Sequence, residues 1–289
     1  MRNIDFHCHS TFSDGTLEPY QLVAAAASAG LAGLALTDHD TVEGAGPFLE
    51  AARRKGFLAL AGTELSLEYK GITHLLGLDV APESSRPLDL GFLQKCRAER
   101  NESLHRALES LGRPVDRQRV AELAGEGQTG KPHFALAMVE RGYVSSRQEA
   151  FELYLGLGRP AYVRKRRLSP PEALGLMLGA GWCPVLAHPV TLRIPIEEYP
   201  ETLKRWKGWG LVGLEVYHPD HHPLLSAFFR ELADRIGLVP TCGSDFHGAN
   251  KEVPLTWVRD NSTLTAAVLD RLREGLRAAL SRDGGVPAA

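Results

Sequence analysis

Near its N-terminus the chain reads Ile4-Asp5-Phe6-His7-Cys8-His9-Ser10-Thr11-Phe12-Ser13-Asp14-Gly15, two histidines and two carboxylates closed by a glycine turn. In an extended strand residues i and i+2 share a face, so His7 and His9 point the same way while Ile4, Phe6 and Cys8 are left for packing. Asp14 follows on the loop, within reach of the same pocket. The stretch reads as half of a metal site. His-x-His alone is a weak pattern that two surface histidines would also produce, so further donors must come from elsewhere.

Such donors recur, each beside an apolar run. Leu31 to Leu36 empties into Thr37-Asp38-His39-Asp40, Phe57 to Gly62 into Thr63-Glu64, and Ile72 to Leu78 carries His74. Cys183 to Ala187 runs into His188-Pro189, Gly213 to Tyr217 delivers His218-Pro219-Asp220-His221-His222, and Leu238 to Cys242 leads to Gly243-Ser244-Asp245-Phe246-His247. If these runs are strands of a parallel barrel, His7, His9, Asp14, His39, Glu64, His74, His188, Asp245 and His247 converge on the rim where such barrels build their sites. A lone histidine in an apolar strand is ordinarily a core residue; a set at successive strand ends is not. Imidazole and carboxylate donors without thiolate suit manganese, iron or zinc, and their number implies two or three ions. A carboxylate such as Glu64 can bridge two ions, which hold and acidify a water as the nucleophile and take charge from a phosphoryl oxygen. Phosphate hydrolysis is the chemistry this implies.

The elements that must hold these donors alternate between strand and helix. Tyr20 to Ala29 reads as a helix, with Thr16 as its cap, Pro19 in its first turn and Gly30 as its stop. Pro47 to Lys55, Ser169 to Leu178, Pro223 to Ile236 and the amphipathic tail Thr263 to Leu280 are further helices, while 283–289 are expected to fray. From Pro82 the alternation stops. A long polar helix, Leu88 to Leu111, precedes helical patterns at Val120 to Ala124, His133 to Glu140 and Gln148 to Leu155. Residues 92–160 therefore read as an inserted helical domain, a cap over the active site, with 1–91 and 161–289 forming the barrel and Ala161-Tyr162-Val163 as its next strand.

A chain of 289 residues suffices for one large α/β barrel. With 44% hydrophobic and 24% charged residues and a formal net charge of -2, it has no global field to draw it to nucleic acid or membrane. An anionic substrate must be met by local charge. Cys8, Cys96, Cys183 and Cys242 lie singly, which fits neither a CxxC zinc site nor a disulfide framework, so a reducing cytoplasm is expected. Neither a signal peptide nor a membrane span is expected, because no h-region opens the chain and the run Leu22 to Leu36 is broken by Ser28, Gly30 and Gly33. No obligate protein partner is evident.

His-x-His with Ser-Asp-Gly, Thr-Asp-His-Asp, Gly-Thr-Glu, Ala-His-Pro and Gly-Ser-Asp-Phe-His resemble the successive motifs of the PHP (polymerase and histidinol phosphatase) family, over almost the whole chain. The resemblance implies a distorted (β/α)7 barrel with three metals. By motif, His7, His9, Glu64 and Asp245 would hold one, Glu64, His74 and His188 a second, and Asp14, His39 and His247 would surround a third. Many members carry histidine where this chain has Asp14. The insertion, with Gly130-Lys131-Pro132-His133-Phe134-Ala135, Ala161-Tyr162-Val163 and Leu168-Ser169-Pro170-Pro171-Glu172-Ala173-Leu174, resembles a subgroup of 3',5'-nucleoside bisphosphate phosphatases, some of which trim short RNA from its 5' end.

That subgroup implies two phosphate sites. Arg97, Asn101 and His105 fall at i, i+4 spacing with Arg100 adjacent, offering donors to a second phosphate, and Lys131 and His133 open the next helix, where backbone N–H groups favour an anion. A solvated basic face is the alternative. Arg164 is expected to reach the reacting phosphate, while Arg164-Lys165-Arg166-Arg167 together read as a nucleic-acid patch or a solvated turn. His221 would orient phosphate or protonate the leaving oxygen, or is a surface turn histidine. The expected enzyme is a metal-dependent phosphomonoesterase with Asp245, Glu64 and His221 as catalytic groups. It would use manganese, or else iron or zinc, to remove the 5'-phosphate of nucleoside bisphosphates and short RNA by attack of a metal-bridging hydroxide. The rivals are a phosphatase of the same family for histidinol phosphate or a nucleoside monophosphate, and a non-catalytic nucleic-acid-binding module.

Overall fold

A computed structural model describes residues 3–125 and 127–281 of the chain, and they divide into two compact units, one of 1–89 with 168–289 and one of 90–167. The expected fraying of 283–289 lies outside the described residues.

The first unit is built on a seven-stranded sheet in the order β1 to β7. Its strands are β1 (Ile4–Asp5), β2 (Gly33–Leu36), β3 (Leu58–Ser66), β4 (His74–Leu78), β5 (Cys183–Leu186), β6 (Gly213–Tyr217) and β7 (Val239–Cys242). Past β7 the chain returns to the start of the sheet. Phe6 N donates to Cys242 O (3.1 Å), Asp245 N to His7 O (2.9 Å) and His9 N to Phe246 O (2.9 Å), so a barrel nearly closes. The result is the expected α/β barrel with one departure: β4 runs antiparallel to both neighbours, pairing Ser66 with His74 and Leu78 with Cys183. Residues 67–73 are too few for a parallel crossover, so the chain turns straight back as a hairpin. His74 therefore stands at the beginning of its strand, beside the end of β3.

Helices α1 (Pro19–Ser28), α2 (Ala45–Lys55), α7 (Pro170–Gly179), α8 (Tyr199–Gly208), α9 (Pro223–Ile236), α10 (Trp257–Asn261) and α11 (Val268–Leu280) belong to this unit; α3 to α6 belong to the other. The amphipathic stripe of α11 (Val268, Leu269, Leu272, Leu276) packs with Ile4, Leu60, Leu76, Val185 and Val239, while α1 packs on β2 and α2 on β3, with Leu22, Val23, Phe48 and Leu34 in one cluster. Thr16 does not cap α1 as expected. Glu18 does, its N–H donating to Gln21 Oε1 (2.9 Å), and the Thr16 hydroxyl accepts from Ala249 N (2.9 Å) instead.

Among its described residues the second unit has helices as its regular elements: α3 (Gly91–Ser110), α4 (Arg117–Ala124), α5 (Lys131–Glu140) and α6 (Arg147–Ala150), which continues as a π-helical turn over Phe151–Leu155. Leu104, Leu108, Val120, Phe134, Met138, Leu155 and Ala161 form its core. Ala161-Tyr162-Val163 is not a strand. Ala161 and Val163 pack into this helical cluster, which is why the unit runs on to Arg167.

Candidate metal centre

Strand alternation delivers the first two donors: Phe6 and Cys8 enter the hydrophobic clusters, and His7 and His9, both fully buried, face the barrel interior. There they meet Glu64, only 1% exposed, whose two oxygens serve different groups. Oε1 lies 2.7 Å from His74 Nδ1 and 2.9 Å from His188 Nε2. Oε2 lies 3.1 Å from His39 Nδ1, 3.2 Å from His9 Nε2 and 3.3 Å from His7 Nε2. Burial by itself would raise this carboxyl, but the imidazoles of His74, His39 and His7 outweigh it and hold Glu64 well below the usual range, an ionised carboxylate in the interior.

Asp245 closes the group on the other side, Oδ1 standing 3.4 Å from His7 Nε2 and 3.2 Å from His9 Nε2. Four potential donors, from His7, His9, Glu64 and Asp245, thus lie within 4.8 Å of one another. A second such set joins His39, Glu64 and His74, and a third joins His9, Asp14, His39 and His247. In the third, His247 Nε2 is 3.2 Å and His39 Nε2 3.8 Å from the Asp14 carboxylate, whose side chain is 38% exposed and forms the open edge. All nine residues picked from the sequence are therefore gathered around Glu64 and Asp14.

The backbone at the rim is held in unusual conformations. His188 and Asp245 adopt φ of +23° and +51°, a cost that persists only where the surroundings enforce it. Gly243, just before Asp245, has no room for a side chain: a Cβ there would overlap Glu215 Oε1 and His7 Cβ.

Orientation comes from groups behind the donors. His7 Nδ1 pairs with Glu215 Oε1 (3.1 Å), and the other Glu215 oxygen accepts His188 N (2.6 Å). Glu215 is fully buried; the imidazoles of His7 and His218 overcome burial and keep it at about 2. Asp38 accepts Ser10 N (2.8 Å), Ser10 Oγ (2.6 Å) and Ser13 Oγ (2.6 Å), fixing the loop that carries Asp14, and Ser13 Oγ is 3.4 Å from His9 Nδ1. His188 Nδ1 pairs with Thr191 Oγ1 (2.8 Å), and with Nδ1 of His7, His9 and His188 all engaged, their Nε2 atoms face the carboxylates.

Several of these inward atoms fit a metal better than one another. His7 Nε2, His9 Nε2, His39 Nδ1 and Glu64 Oε2 are buried and have no hydrogen-bond partner, although nitrogens and oxygen stand within 3.3 Å. Buried polar atoms are ordinarily paired, and convergent lone pairs at this spacing are what a divalent cation satisfies. Burial also pushes His39 down to about 4, leaving it neutral and able to ligate at neutral pH.

Glu215 and His218 are participants that the sequence reading passed over. His218 is fully buried and its Nε2 lies 3.5 Å from Asp245 Oδ2, whereas His221, the residue expected to orient phosphate or protonate the leaving oxygen, turns Nδ1 to Val216 O (2.8 Å). That hydrogen bond puts the proton of the His221 ring on Nδ1, and burial pushes its pKa to about 4. The bare Nε2 accepts rather than donates, so His221 holds no proton to give a leaving oxygen at neutral pH. Lys251, also unforeseen, places Nζ 2.5 Å from Asp245 Oδ2.

The residues expected to bind substrate lie in the helical unit, apart from His221. Arg100 is buried on α3, Asn101 Nδ2 donates to Thr129 O (3.0 Å), and His133 Nδ1 accepts Gly130 N (3.0 Å) at the start of its own helix. Lys131 Nζ donates to Leu155 O (2.8 Å) and stands 4.0 Å above the Tyr162 ring. Arg164 is exposed on an irregular segment; with no strand at 161–163, it loses the position at a strand end that suggested it.

A PHP domain model matches residues 5–146 of the chain. The chain is 31% identical over 265 residues to the 5'-3' exoribonuclease of Haemophilus influenzae, covering 89% of this chain and 92% of that protein. It is 33% identical over 250 residues to the 3',5'-nucleoside bisphosphate phosphatase of Chromobacterium violaceum, covering 86% and 88%. Among solved structures, a protein of Bifidobacterium adolescentis assigned as a metal-dependent phosphoesterase superposes with a TM-score of 0.78 at 30% identity, over 96% of each chain. With matches of this extent and a rim of buried imidazoles and carboxylates, the chain belongs to the PHP domain family.

Proposed function

We propose that this protein is a metal-dependent phosphomonoesterase that removes the 5'-phosphate of nucleoside 3',5'-bisphosphates. The observation that carries the reading is the division of the buried Glu64 carboxylate between two groups of imidazoles, a donor set that would suit two cations. Similarity over 86% of the chain to a phosphatase named for that substrate supports the substrate class.

Divalent ions, manganese first, would be held by His7, His9, Glu64 and Asp245, by Glu64, His74 and His188, and by Asp14, His39 and His247. Bound there, they would supply Lewis acidity toward a phosphoryl oxygen and acidify a water molecule. The protein's own groups do the rest. Glu215 and the Ser13–Asp38 pair keep the imidazole rings turned inward, and the mixed carboxylate set limits the net charge that the dianionic phosphate meets. The His221 Nε2 lone pair accepts a hydrogen bond from the attacking water or a protonated phosphoryl oxygen. Hydrolysis breaks the P–O5' bond, and the nucleoside oxygen takes its proton from solvent or the incoming water.

For the second phosphate we infer Arg100, Asn101, Lys131 and His133. Burial and the neighbouring charges of Arg100 and Arg167 push Lys131 down to about 8, and an anion such as a 3'-phosphate placed among these cations relieves that repulsion. Arg164, exposed, is left with a peripheral role. A 5'-phosphorylated short RNA presents the same two-phosphate pattern, and similarity over 89% of the chain to a 5'-3' exoribonuclease favours it as a further substrate. Four free, buried cysteines support a cytoplasmic location, and no helix among the described residues is long and apolar enough to cross a membrane.

The test is phosphate release with manganese from adenosine 3',5'-bisphosphate, adenosine 5'-monophosphate and histidinol phosphate. A higher kcat/KM for the bisphosphate is expected; equal values for the two nucleotides, or a preference for histidinol phosphate, would overturn the substrate assignment.

A further inference from the structure

The two oxygens of Asp245 keep different company. Oδ1 faces inward, 3.4 Å from His7 Nε2, 3.2 Å from His9 Nε2 and 3.5 Å from His247 Nδ1. Oδ2 faces away, 2.5 Å from Lys251 Nζ and 3.5 Å from His218 Nε2. The His218 ring is fully buried, and its Nδ1 accepts the backbone N–H of Asp220 (3.1 Å). A neutral ring with Nδ1 accepting carries its proton on Nε2, so an N–H is aimed at Asp245 Oδ2 from 3.5 Å. Oδ2 is therefore approached by an ammonium and an imidazole N–H, and Oδ1 by imidazole nitrogens of the metal centre.

We propose that Lys251, with His218 behind it, is a positioning residue that reserves Oδ2 and makes Asp245 a one-oxygen donor to the ion held by His7, His9 and Glu64, thereby setting which divalent ion that group prefers. This rests on the reading of that group as a metal site. One oxygen from each carboxylate and one nitrogen from each histidine make four protein donors, the number that satisfies zinc outright and leaves the remaining positions of a six-coordinate ion such as manganese open to water and substrate. Without Lys251, Oδ2 is free to turn inward and chelate. A fifth oxygen favours the higher-coordinate, oxygen-preferring ion and gives little to a tetrahedral one. Removing the ammonium also strips a positive charge from the neighbourhood, which strengthens the binding of every divalent ion alike. The ratio of two divalent affinities therefore isolates the effect of geometry from that of charge.

The experiment is a competition titration of the metal-free full chain with manganese and zinc against a chromophoric chelator, for the parent protein, Lys251→Met, Lys251→Gln and Lys251→Arg, with thermal melting as the folding control. In Lys251→Met and Lys251→Gln the ratio of manganese to zinc affinity is expected to rise at least ~10-fold at the tightest site, the scale on which groups behind metal ligands act. In Lys251→Arg, which keeps a cationic donor at Oδ2, the ratio is expected to stay within ~3-fold of the parent. An unchanged ratio in both neutral variants overturns the assignment while leaving the metal centre intact. A parent protein that binds neither ion overturns the metal reading itself, and this proposal with it.

Discussion

Replacing Glu64 with glutamine tests whether one carboxylate serves two cations. The change keeps the shape of a side chain that is 1% exposed and removes its charge. At the 3.1–3.3 Å between Oε2 and the nitrogens of His39, His9 and His7, an effective dielectric of about 20 gives roughly 5 kcal/mol per pair of unit charges. Each oxygen carries about half of the carboxylate charge, and a divalent ion doubles the effect, so an ion on either side loses an attraction of that same order, about 5 kcal/mol. The amide oxygen returns part of it. We expect the Kd of both ions to rise at least ~100-fold, about 2.8 kcal/mol each. Elemental analysis after gel filtration and titration with manganese read this directly, with His74→Ala as the comparison that disturbs one side only. A Glu64→Gln protein that keeps even one ion at parental affinity would refute the shared-carboxylate reasoning.

Other outcomes follow from the same geometry. Burial opposes protonation of His9, yet the carboxylates of Asp245 and Glu64, each 3.2 Å from its Nε2, raise it to about 10, so an ion must expel that proton at neutral pH. Because the competing proton is lost as pH rises, manganese affinity should climb by up to ~10-fold per unit between about pH 6 and 8; a flat profile by calorimetry would contradict this. In Gly243→Ala the new methyl meets Glu215 and His7, and we expect a stability loss of ~1–3 kcal/mol in denaturant titrations together with weakened metal binding. Unchanged values would show that the rim backbone yields freely. Arg100→Ala should raise KM for the bisphosphate ~10-fold or more and leave the monophosphate nearly unaffected. Equal losses on both substrates would remove Arg100 from the second phosphate site.

Much of the site was legible because strand geometry is simple. The alternation of His7 and His9 with Phe6 and Cys8 allows one inward face, and donors after apolar runs mark the ends of barrel strands. The reversal of β4 was missed, although the stretch between Glu64 and Ile72 is too short for a helical crossover. Glu215 carried a signal that went unused, since a glutamate inside Gly-Leu-Glu-Val-Tyr is a buried charge and demands partners. The choice between His218 and His221 was not available from sequence, because both follow β6 and only the turn decides which ring faces Asp245 and which bonds to Val216 O. Ala161-Tyr162-Val163 failed as a strand because a three-residue apolar run fits any buried segment, and here the helical core claims it. Lys251 obeys no periodicity at all; it reaches Asp245 through the 3-10 turn Gly248–Asn250.

The central claim is that two cations share Glu64. Anomalous scattering at the manganese edge from crystals grown with that ion tests it most directly. The expected result is a pair of peaks flanking the carboxylate, one on the side of His74 and His188 and one among His7, His9 and Asp245. Density with no peak beside Glu64, from protein that releases phosphate under the same conditions, would contradict the account.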